Sequence, residues 1–211
     1  MRVRPITPAA AIEEFAERIA RTVGPGGWTR VVVDAAGPAD PGSWADALQA
    51  PVRLRGRPTL RVSATDFLRP ASLRLEHGRR DPDAFYTEWL DGAALRREVL
   101  DPLGAGGSGL VLPRFWDPRT DRSPRAEPVS LPPGGVLLVD GSLLLGLDLP
   151  ADVRVYLHLS ESALRRRMPP ELAWTLPAHR RYAEEVRPVR RADLVLLVDH
   201  PDRPAVLDGI G

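Results

Sequence analysis

Three absences narrow the chemistry open to this chain of 211 residues. It has no cysteine, which excludes disulfides, thiolate catalysis and cysteine-based zinc sites. It has no lysine, so all 29 basic residues are arginines and no lysine amine can clamp a phosphate or form a Schiff base. It has no apolar run long enough for a membrane span, so we expect no membrane partner.

Charge and histidine placement exclude two further classes of function. The 29 basic and 28 acidic residues nearly cancel, to a formal charge of +1, so a nucleic-acid partner is not expected. The four histidines stand far apart and show no metal-ligand spacing, so no metal site is predicted. The first ten residues lack the apolar core of a signal peptide, and we expect a cytoplasmic protein.

Predicted strands and helices alternate along the chain. The strands are expected at residues 30–34, 57–64, 110–116, 136–141, 153–159 and 192–199, and the one at 192–199 is expected to be the last strand of the chain. The helices are expected at residues 7–23, 43–50, 83–100, 160–168 and 179–189. This alternation predicts an α/β fold with a mostly parallel sheet. We expect a single domain over 1–211, in which 1–28 form an N-terminal helix and turn.

The stretch VVVDAAGPADPGSWADAL, residues 31–48, has the outline of a phosphate-binding loop. Gly37 and Gly42 stand at the two glycine positions of the pattern GxxxxGK[ST], directly after an apolar strand. In an intact loop the backbone N–H groups surround the β-phosphate, the lysine contacts the β- and γ-phosphates, and the hydroxyl holds Mg²⁺. The segment is therefore a candidate nucleotide-binding loop.

Four residues of this loop depart from the pattern. Ser43 replaces the lysine, and Trp44 replaces the residue whose hydroxyl holds Mg²⁺. Pro41 has no N–H to donate, and Asp40 adds a negative charge to a loop built to receive one. A self-contained turn is the alternative reading, with Ser43 as helix N-cap and Asp46 three residues later.

Eight segments in order resemble the uridine kinase family of P-loop nucleoside kinases, in particular short bacterial members. They run from about Arg30 to about Val206 and read VVVDAAGPADPGSWADAL, LRVSATDFLRP, DPDAFYTEWLDGAALRREVLDPL, PRFWDPRTDR, VLLVDGSLLL, ALRRR, HRRYAEEVRPVRRADLVLLVD and HPDRP. The resemblance implies a P-loop NTPase-like three-layer fold with a short arginine-bearing helical lid at about residues 160–191. It implies Mg²⁺ and ATP as cofactors only for a member that is an active kinase.

The same resemblance implies two catalytic candidates. Asp140 matches the acidic residue at the end of the family's Walker B strand, in VLLVDG. The family's general base is an aspartate after the second strand, but Thr65 stands at that position and Asp66 follows it. Alternate strand residues point in opposite directions, so Asp66 could act as base only after a backbone shift. A helix or turn cap is the other reading of Asp66.

Substrate and lid candidates also follow from the resemblance. The substrate-side candidates are Asp83, Phe85, Tyr86, Trp116 and Arg119. The lid candidates are Arg166, Arg167 and Arg181. The aromatic residues among them can equally belong to the core, and the arginines to a solvated basic face.

Three hypotheses remain open at this point. The first is a uridine-kinase-like protein with a degenerate loop and little phosphoryl transfer, which at most binds a nucleoside, a nucleotide or a related metabolite. The second is an active kinase in which lid arginines replace the missing lysine, Asp140 holds Mg²⁺ and Asp66 is the base. The third is an interaction module without catalysis that forms a homodimer.

Overall fold

A seven-stranded sheet forms the centre of the computed structural model, which describes residues 2–209. Its strand order is β1-β9-β8-β7-β2-β6-β3. These strands are β1 (Arg2–Pro5), β2 (Thr29–Ala35), β3 (Thr59–Ser63), β6 (Val136–Gly141), β7 (Val153–His158), β8 (Leu194–Leu197) and β9 (Ala205–Asp208). A separate two-stranded ribbon pairs β4 (Leu110–Val111) with β5 (Val129–Ser130).

Five adjacent strands of the sheet are parallel, as the alternation of elements predicts. They run in the order β8-β7-β2-β6-β3, and β2 lies at their centre between β6 and β7. The other two, β1 and β9, are antiparallel and extend one edge. The prediction that the strand at 192–199 is the last was wrong, and β1 was not predicted. Both missed strands have only four residues, too few for alternation to be recognised.

Helices cover both faces of the sheet. The longest are α1 (Pro8–Arg21), α2 (Pro41–Leu54) and α7 (Leu176–Glu185). The shorter ones are α3 (Ala71–Arg74), α4 (Pro82–Thr87), α5 (Gly92–Leu95), α6 (Glu161–Arg167) and α8 (Pro188–Arg191). Thr7 caps α1 by accepting a hydrogen bond from the Ala10 N–H, as expected. No helix within residues 2–209 has the length and the apolar character needed to span a bilayer.

Two apolar clusters separate the three layers. Valines alternate along β2, so Val31 and Val33 face the α1–α2 side whereas Val32 faces the opposite side. Phe15 and Leu48 belong to the first cluster, which also includes side chains of α6. The second cluster includes α5 together with Tyr182 of α7 and Val186, which directly follows this helix. The expected three-layer α/β arrangement is confirmed.

Two predicted elements are shorter than the sequence suggested. The continuous helix expected over 83–100 is divided into α4, α5 and a π-helical turn at Arg96–Leu100. The first part ends at Thr87, and Asp91 caps the second by accepting from the Ala94 N–H. The strand expected at 110–116 stops after Val111 and joins the separate ribbon, because Pro113 has no N–H for a ladder.

A break also divides the helix expected at 179–189. It begins at Leu176, ends at Glu185 and is followed by the short α8. Arg187 between them has φ of 53° and ψ of 58°, in the left-handed region. Non-glycine residues occupy this region at a cost, and Pro188 then starts the next turn with a fixed φ.

Candidate functional site

The candidate loop joins β2 to α2 at the carboxyl edge of the sheet. Residues Gly37–Ala39 form a 3₁₀ turn, and Asp40 then adopts a left-handed conformation with φ of 54°. Helix α2 begins at Pro41, two residues earlier than expected. The Asp40 carboxylate caps it, accepting hydrogen bonds from the Ser43 N–H at 3.1 Å and the Ser43 hydroxyl at 2.6 Å.

The loop is therefore closed by its own side chains. The expectation that Ser43 caps the helix was wrong, because both of its donors point to Asp40. These two hydrogen bonds lower the pKa of Asp40, so the loop carries a negative charge at neutral pH. Trp44 is half-buried and packs against the apolar cluster of the α1–α2 face.

Arg61 of β3 supplies a positive charge beside this loop that sequence analysis did not single out. Its Nε and Nη2 donate to the two carboxylate oxygens of Asp140, at 2.7 and 3.1 Å. Its Nη1 reaches Asp46 on α2 at 2.9 Å. A Cβ on Gly42 would lie 2.7 Å from Arg61 Nη2, so glycine lets the guanidinium approach the start of α2. The available signal was a charged residue inside an otherwise apolar strand.

Asp140 is the penultimate residue of β6 and lies beside Ser63 of β3, its register partner. Its side chain is only 5% exposed, and the Ser63 hydroxyl donates to it at 3.3 Å. Arg61 donates to both oxygens of this carboxylate and Ser63 donates to one of them. Protein groups therefore already balance its charge and supply its hydrogen bonds. Asp46 was expected to take part in the cap of α2, but its carboxylate instead pairs with Arg61.

The second catalytic candidate, Asp66, lies in a 3₁₀ turn at Ala64–Phe67 that follows β3. Its carboxylate accepts from Arg114 Nε at 3.2 Å, and its backbone carbonyl accepts from the Phe115 and Trp116 N–H groups. Asp66 thus fixes the loop 114–116 against the end of β3. Thr65, at the family's base position, shares a hydrogen bond with Ser63 at 2.9 Å.

The three substrate-side candidates on α4 contact the lid-like region, residues 160–191. Asp83 pairs with Arg181 at 3.2 Å. Phe85 packs edge-on to Trp174 and His179, with ring centroids 5.6 and 5.9 Å apart. The Tyr86 hydroxyl donates to Glu185 at 3.0 Å, and the Arg181 guanidinium lies 4.6 Å from its ring centroid. The lid-like region therefore packs directly on α4.

The other two substrate-side candidates form contacts within their own loop. Trp116 Nε1 donates to Asp121 at 3.0 Å. The Arg119 backbone N–H donates to Asp117 at 2.9 Å, while its side chain is largely exposed. Their contacts thus organise the loop 116–122.

The three lid arginines have different environments. Arg167 donates to the Pro38 carbonyl of the candidate loop, and to the Val198 carbonyl at 2.7 Å. Arg181 faces α4 rather than the loop, as its pairing with Asp83 shows. Arg166 is exposed on α6. Consecutive arginines thus point to different places, and Arg167 is the one that touches the loop.

A second group of polar residues, also not singled out from the sequence, surrounds Asp34 at the end of β2. Asp34 is completely buried and accepts hydrogen bonds through Oδ2 from the Tyr182 hydroxyl and, at 3.2 Å, the Leu145 N–H. Its Oδ1 has no partner among residues 2–209. Burial raises the pKa of Asp34 to about 6. A polar residue at the carboxyl end of a parallel strand was the available signal.

A cavity of about 690 Å³ opens beside Asp34. It lies between the ends of β2 and β7 and the helices α6, α7 and α8, and its lining includes Tyr156, His158, Arg187 and Arg190. Burial lowers the pKa of His158, so this side chain is neutral at physiological pH. No group of three histidine or acidic residues within 2–209 is arranged to hold a metal ion.

Comparisons with solved structures identify the fold. A possible uridine kinase from Bacillus stearothermophilus superposes with a TM-score of 0.71 over 88% of this chain and 97% of its own, at 20% identity. The fold is that of uridine kinase-like P-loop proteins. A candidate fructose transport system kinase from Silicibacter sp. TM1040 shares this uridine kinase-like fold, with a TM-score of 0.62 over 85% of this chain and 95% of its own, at 19% identity. No family model and no curated protein matches the sequence.

Proposed function

We propose that this protein has a uridine kinase-like fold with a degenerate phosphate loop and little or no ATP-dependent phosphoryl transfer. It would at most bind a nucleoside, a nucleotide or a related metabolite. The observation that carries the proposal is the two-point contact between Arg61 and Asp140 beside Gly42. This contact occupies the one carboxylate that could hold a metal ion at the end of the Walker B-like strand.

The residues present do not fit a magnesium-bound triphosphate. Phosphoryl transfer depends on positioning and on neutralising charge at the phosphates. The Ser43 hydroxyl, the oxygen nearest the metal position in sequence, donates to Asp40 and is not free as a ligand. Mg²⁺ would have to displace Arg61 from a carboxylate that is almost fully buried, and that exchange loses two charge-assisted hydrogen bonds.

Calorimetric titration with Mg·ATP tests the loss of binding directly. We expect no saturable heat at micromolar nucleotide, because the loop offers a carboxylate and a proline where the phosphates need donors. An active nucleoside kinase with an intact loop, titrated under the same conditions, is the control for the nucleotide. A dissociation constant in the low micromolar range would contradict the proposal.

One observation favours a second candidate, an active kinase with relocated charges. Arg167 contacts the Pro38 carbonyl, so an arginine already lies against the loop. Arginine binds phosphate well, since its planar donors match the phosphate oxygens. In this candidate Asp66 would be released from Arg114 to act as base. Phosphorylation of uridine or cytidine that disappears in Asp66→Ala would support it, and no turnover over a broad panel of hydroxyl substrates would refute it.

A further inference from the structure

The cavity beside Asp34 combines three features of a small-molecule site. Its walls include apolar side chains such as Leu143, Leu164 and Val189. Asp34, whose buried Oδ1 has no hydrogen-bond partner among residues 2–209, is one of the residues that line it. Its volume of about 690 Å³ lies in the range of small-molecule sites, which are mostly apolar with a few placed polar groups.

An unpartnered buried oxygen is the strongest of these features. Leaving a buried acceptor unsatisfied costs about 1–3 kcal/mol, so such atoms are rare in native proteins and call for an explanation. The neighbouring Tyr182 hydroxyl already serves Oδ2. A ligand N–H or O–H donor entering the cavity would satisfy Oδ1. Tyr156, a buried residue that also lines the cavity, offers its hydroxyl as a further polar contact.

Positive charge is concentrated where α7 meets α8. Arg165 and Arg180 share Glu161, and Arg181 is paired with Glu185 and Asp83. Arg187 and Arg190 also line the cavity, and neither forms an ion pair with any residue in the range 2–209. Both are exposed, so they stand at its solvent side.

Arg187 keeps its position at a conformational cost. Its φ of 53° belongs to the left-handed region, where a non-glycine residue costs about 1–2 kcal/mol. Strained backbone of this kind is concentrated at ligand sites and switch regions. Glycine would adopt this conformation at a lower cost, so replacing Arg187 by glycine removes the guanidinium without straining the turn.

We propose that this cavity binds a small organic anion that carries an N–H or O–H donor. The donor end reaches Asp34 Oδ1, a ring or apolar middle lies against the leucines, and the carboxylate or phosphate end meets Arg187 and Arg190. This site is separate from the Arg61–Asp140 pair and does not depend on whether the loop transfers phosphate.

The fluorescent dye 8-anilinonaphthalene-1-sulfonate is a suitable probe, because it has an anionic group, aromatic rings and one N–H. We expect saturable one-to-one binding to the full-length folded protein. Arg187→Ala with Arg190→Ala should weaken it about tenfold, while Arg96→Ala, an exposed arginine outside the cavity lining, should leave it unchanged. Competition by 4-hydroxybenzoate or 4-hydroxyphenyl phosphate, each with a phenolic O–H donor, then distinguishes a carboxylate ligand from a phosphate ester. Displacement by neither, or equal affinity in all variants, overturns the proposal.

Arg187→Gly separates ligand binding from structure. Removing the side chain relieves the strained turn, so the unfolding midpoint should not fall, while dye affinity should fall at least fivefold. A purely structural role predicts the reverse, with lowered stability and unchanged affinity, and that result would refute the assignment. Asp34→Asn should also weaken the dye several-fold, since the amide keeps an acceptor for Tyr182 but can place N–H groups where the ligand donor binds.

Discussion

Arg61 and Asp140 are joined by two hydrogen bonds across neighbouring parallel strands, Nε to Oδ1 at 2.7 Å and Nη2 to Oδ2 at 3.1 Å. Arg61→Met leaves the carboxylate with only the Ser63 hydroxyl, so we expect a loss of about 2–3 kcal/mol in unfolding free energy. Urea unfolding measures it. Adding Asp140→Asn to this variant should recover most of the loss. A single variant as stable as the parent would show that the pair contributes nothing.

The same substitution should create a response to magnesium. Once Arg61 is gone, Asp140 is a buried carboxylate without a cation, and a divalent ion that binds the folded state raises its stability. We expect millimolar Mg²⁺ to raise the unfolding midpoint of Arg61→Met and to leave the parent unchanged. Arg55→Met, which removes a more exposed pairing with Glu13, is the matched control. Equal responses from all three proteins would contradict the idea that Arg61 blocks a metal.

Asp40 contributes through both its side chain and its backbone conformation. Asp40→Ala removes the cap on α2 and places alanine at φ of 54°, so we expect a loss of about 2 kcal/mol. Asp40→Asn keeps an acceptor and tolerates the left-handed region, and should cost less than about 0.5 kcal/mol. Thermal unfolding of the two variants checks the difference. Similar losses in both would mean that the negative charge, rather than the cap, stabilises the loop.

Asp34 should make the stability depend on pH in an unusual direction. Its folded pKa is raised to about 6 from 3.8, so the folded state holds a proton that the unfolded state releases between those values. The gain in unfolding free energy from this proton is absent above pH 6. It grows as the pH falls toward 4 and amounts to about 1.4 kcal/mol between pH 7 and pH 5. The buried His158 and His179 have lowered pKa values, so their contribution lowers the unfolding free energy as the pH falls.

Asp34→Asn isolates this effect, because both histidines titrate equally in the two proteins. The stability of wild type relative to Asp34→Asn should increase from pH 7 to pH 5, as measured by denaturant unfolding at each pH. Tyr156 and Tyr182 also face the carboxylate, but burial raises their pKa values and they stay protonated throughout. A difference that does not vary with pH would refute the raised pKa.

We expect Trp174 to hold the lid-like region, residues 160–191, against α4. Its ring lies 5.6 Å from that of Phe85 and 5.5 Å from that of Trp89. Trp174→Ala should cost about 2 kcal/mol, less than for a fully buried ring because Trp174 is partly exposed. Hydrogen exchange should become faster in residues 170–185 and stay unchanged in β2. Leu172→Ala, an exposed apolar residue in the same turn, is the control. Equal exchange in both variants would count against a fastening role.

The parallel core of the fold could be predicted because its strands are continuous apolar runs such as VVV in β2. The edge strands β1 and β9 could not be predicted, because β1 reads RVRP, without a continuous apolar run, and pairs with a strand about 200 residues later in the chain. The phosphate-loop outline was visible for the same local reason: two glycines follow a strand. The closure of this loop by Asp40 could not be predicted, because either Ser43 or Asp40 can cap a helix and the backbone conformation decides between them.

The long-range parts of the candidate site were beyond sequence analysis. Arg61 meets Asp140 across 79 positions, and Asp34 meets Tyr182 across 148. Neither pair has a spacing or motif that marks it. The assigned roles of Asp66, Asp83, Phe85, Tyr86 and Arg181 stay predictions, although the structure places the last four of these at one interface between α4 and the lid.

The pairing of Arg2 with Asp208 brings the two extremities of the described chain side by side. Such proximity generally makes a fold tolerant of circular permutation. A short flexible linker could join these neighbours, and new ends could be opened in the exposed segment around Arg122–Arg125, far in sequence from the β2–α2 loop. A permuted protein of this kind would carry a reporter domain on this exposed segment without disturbing the parallel strands.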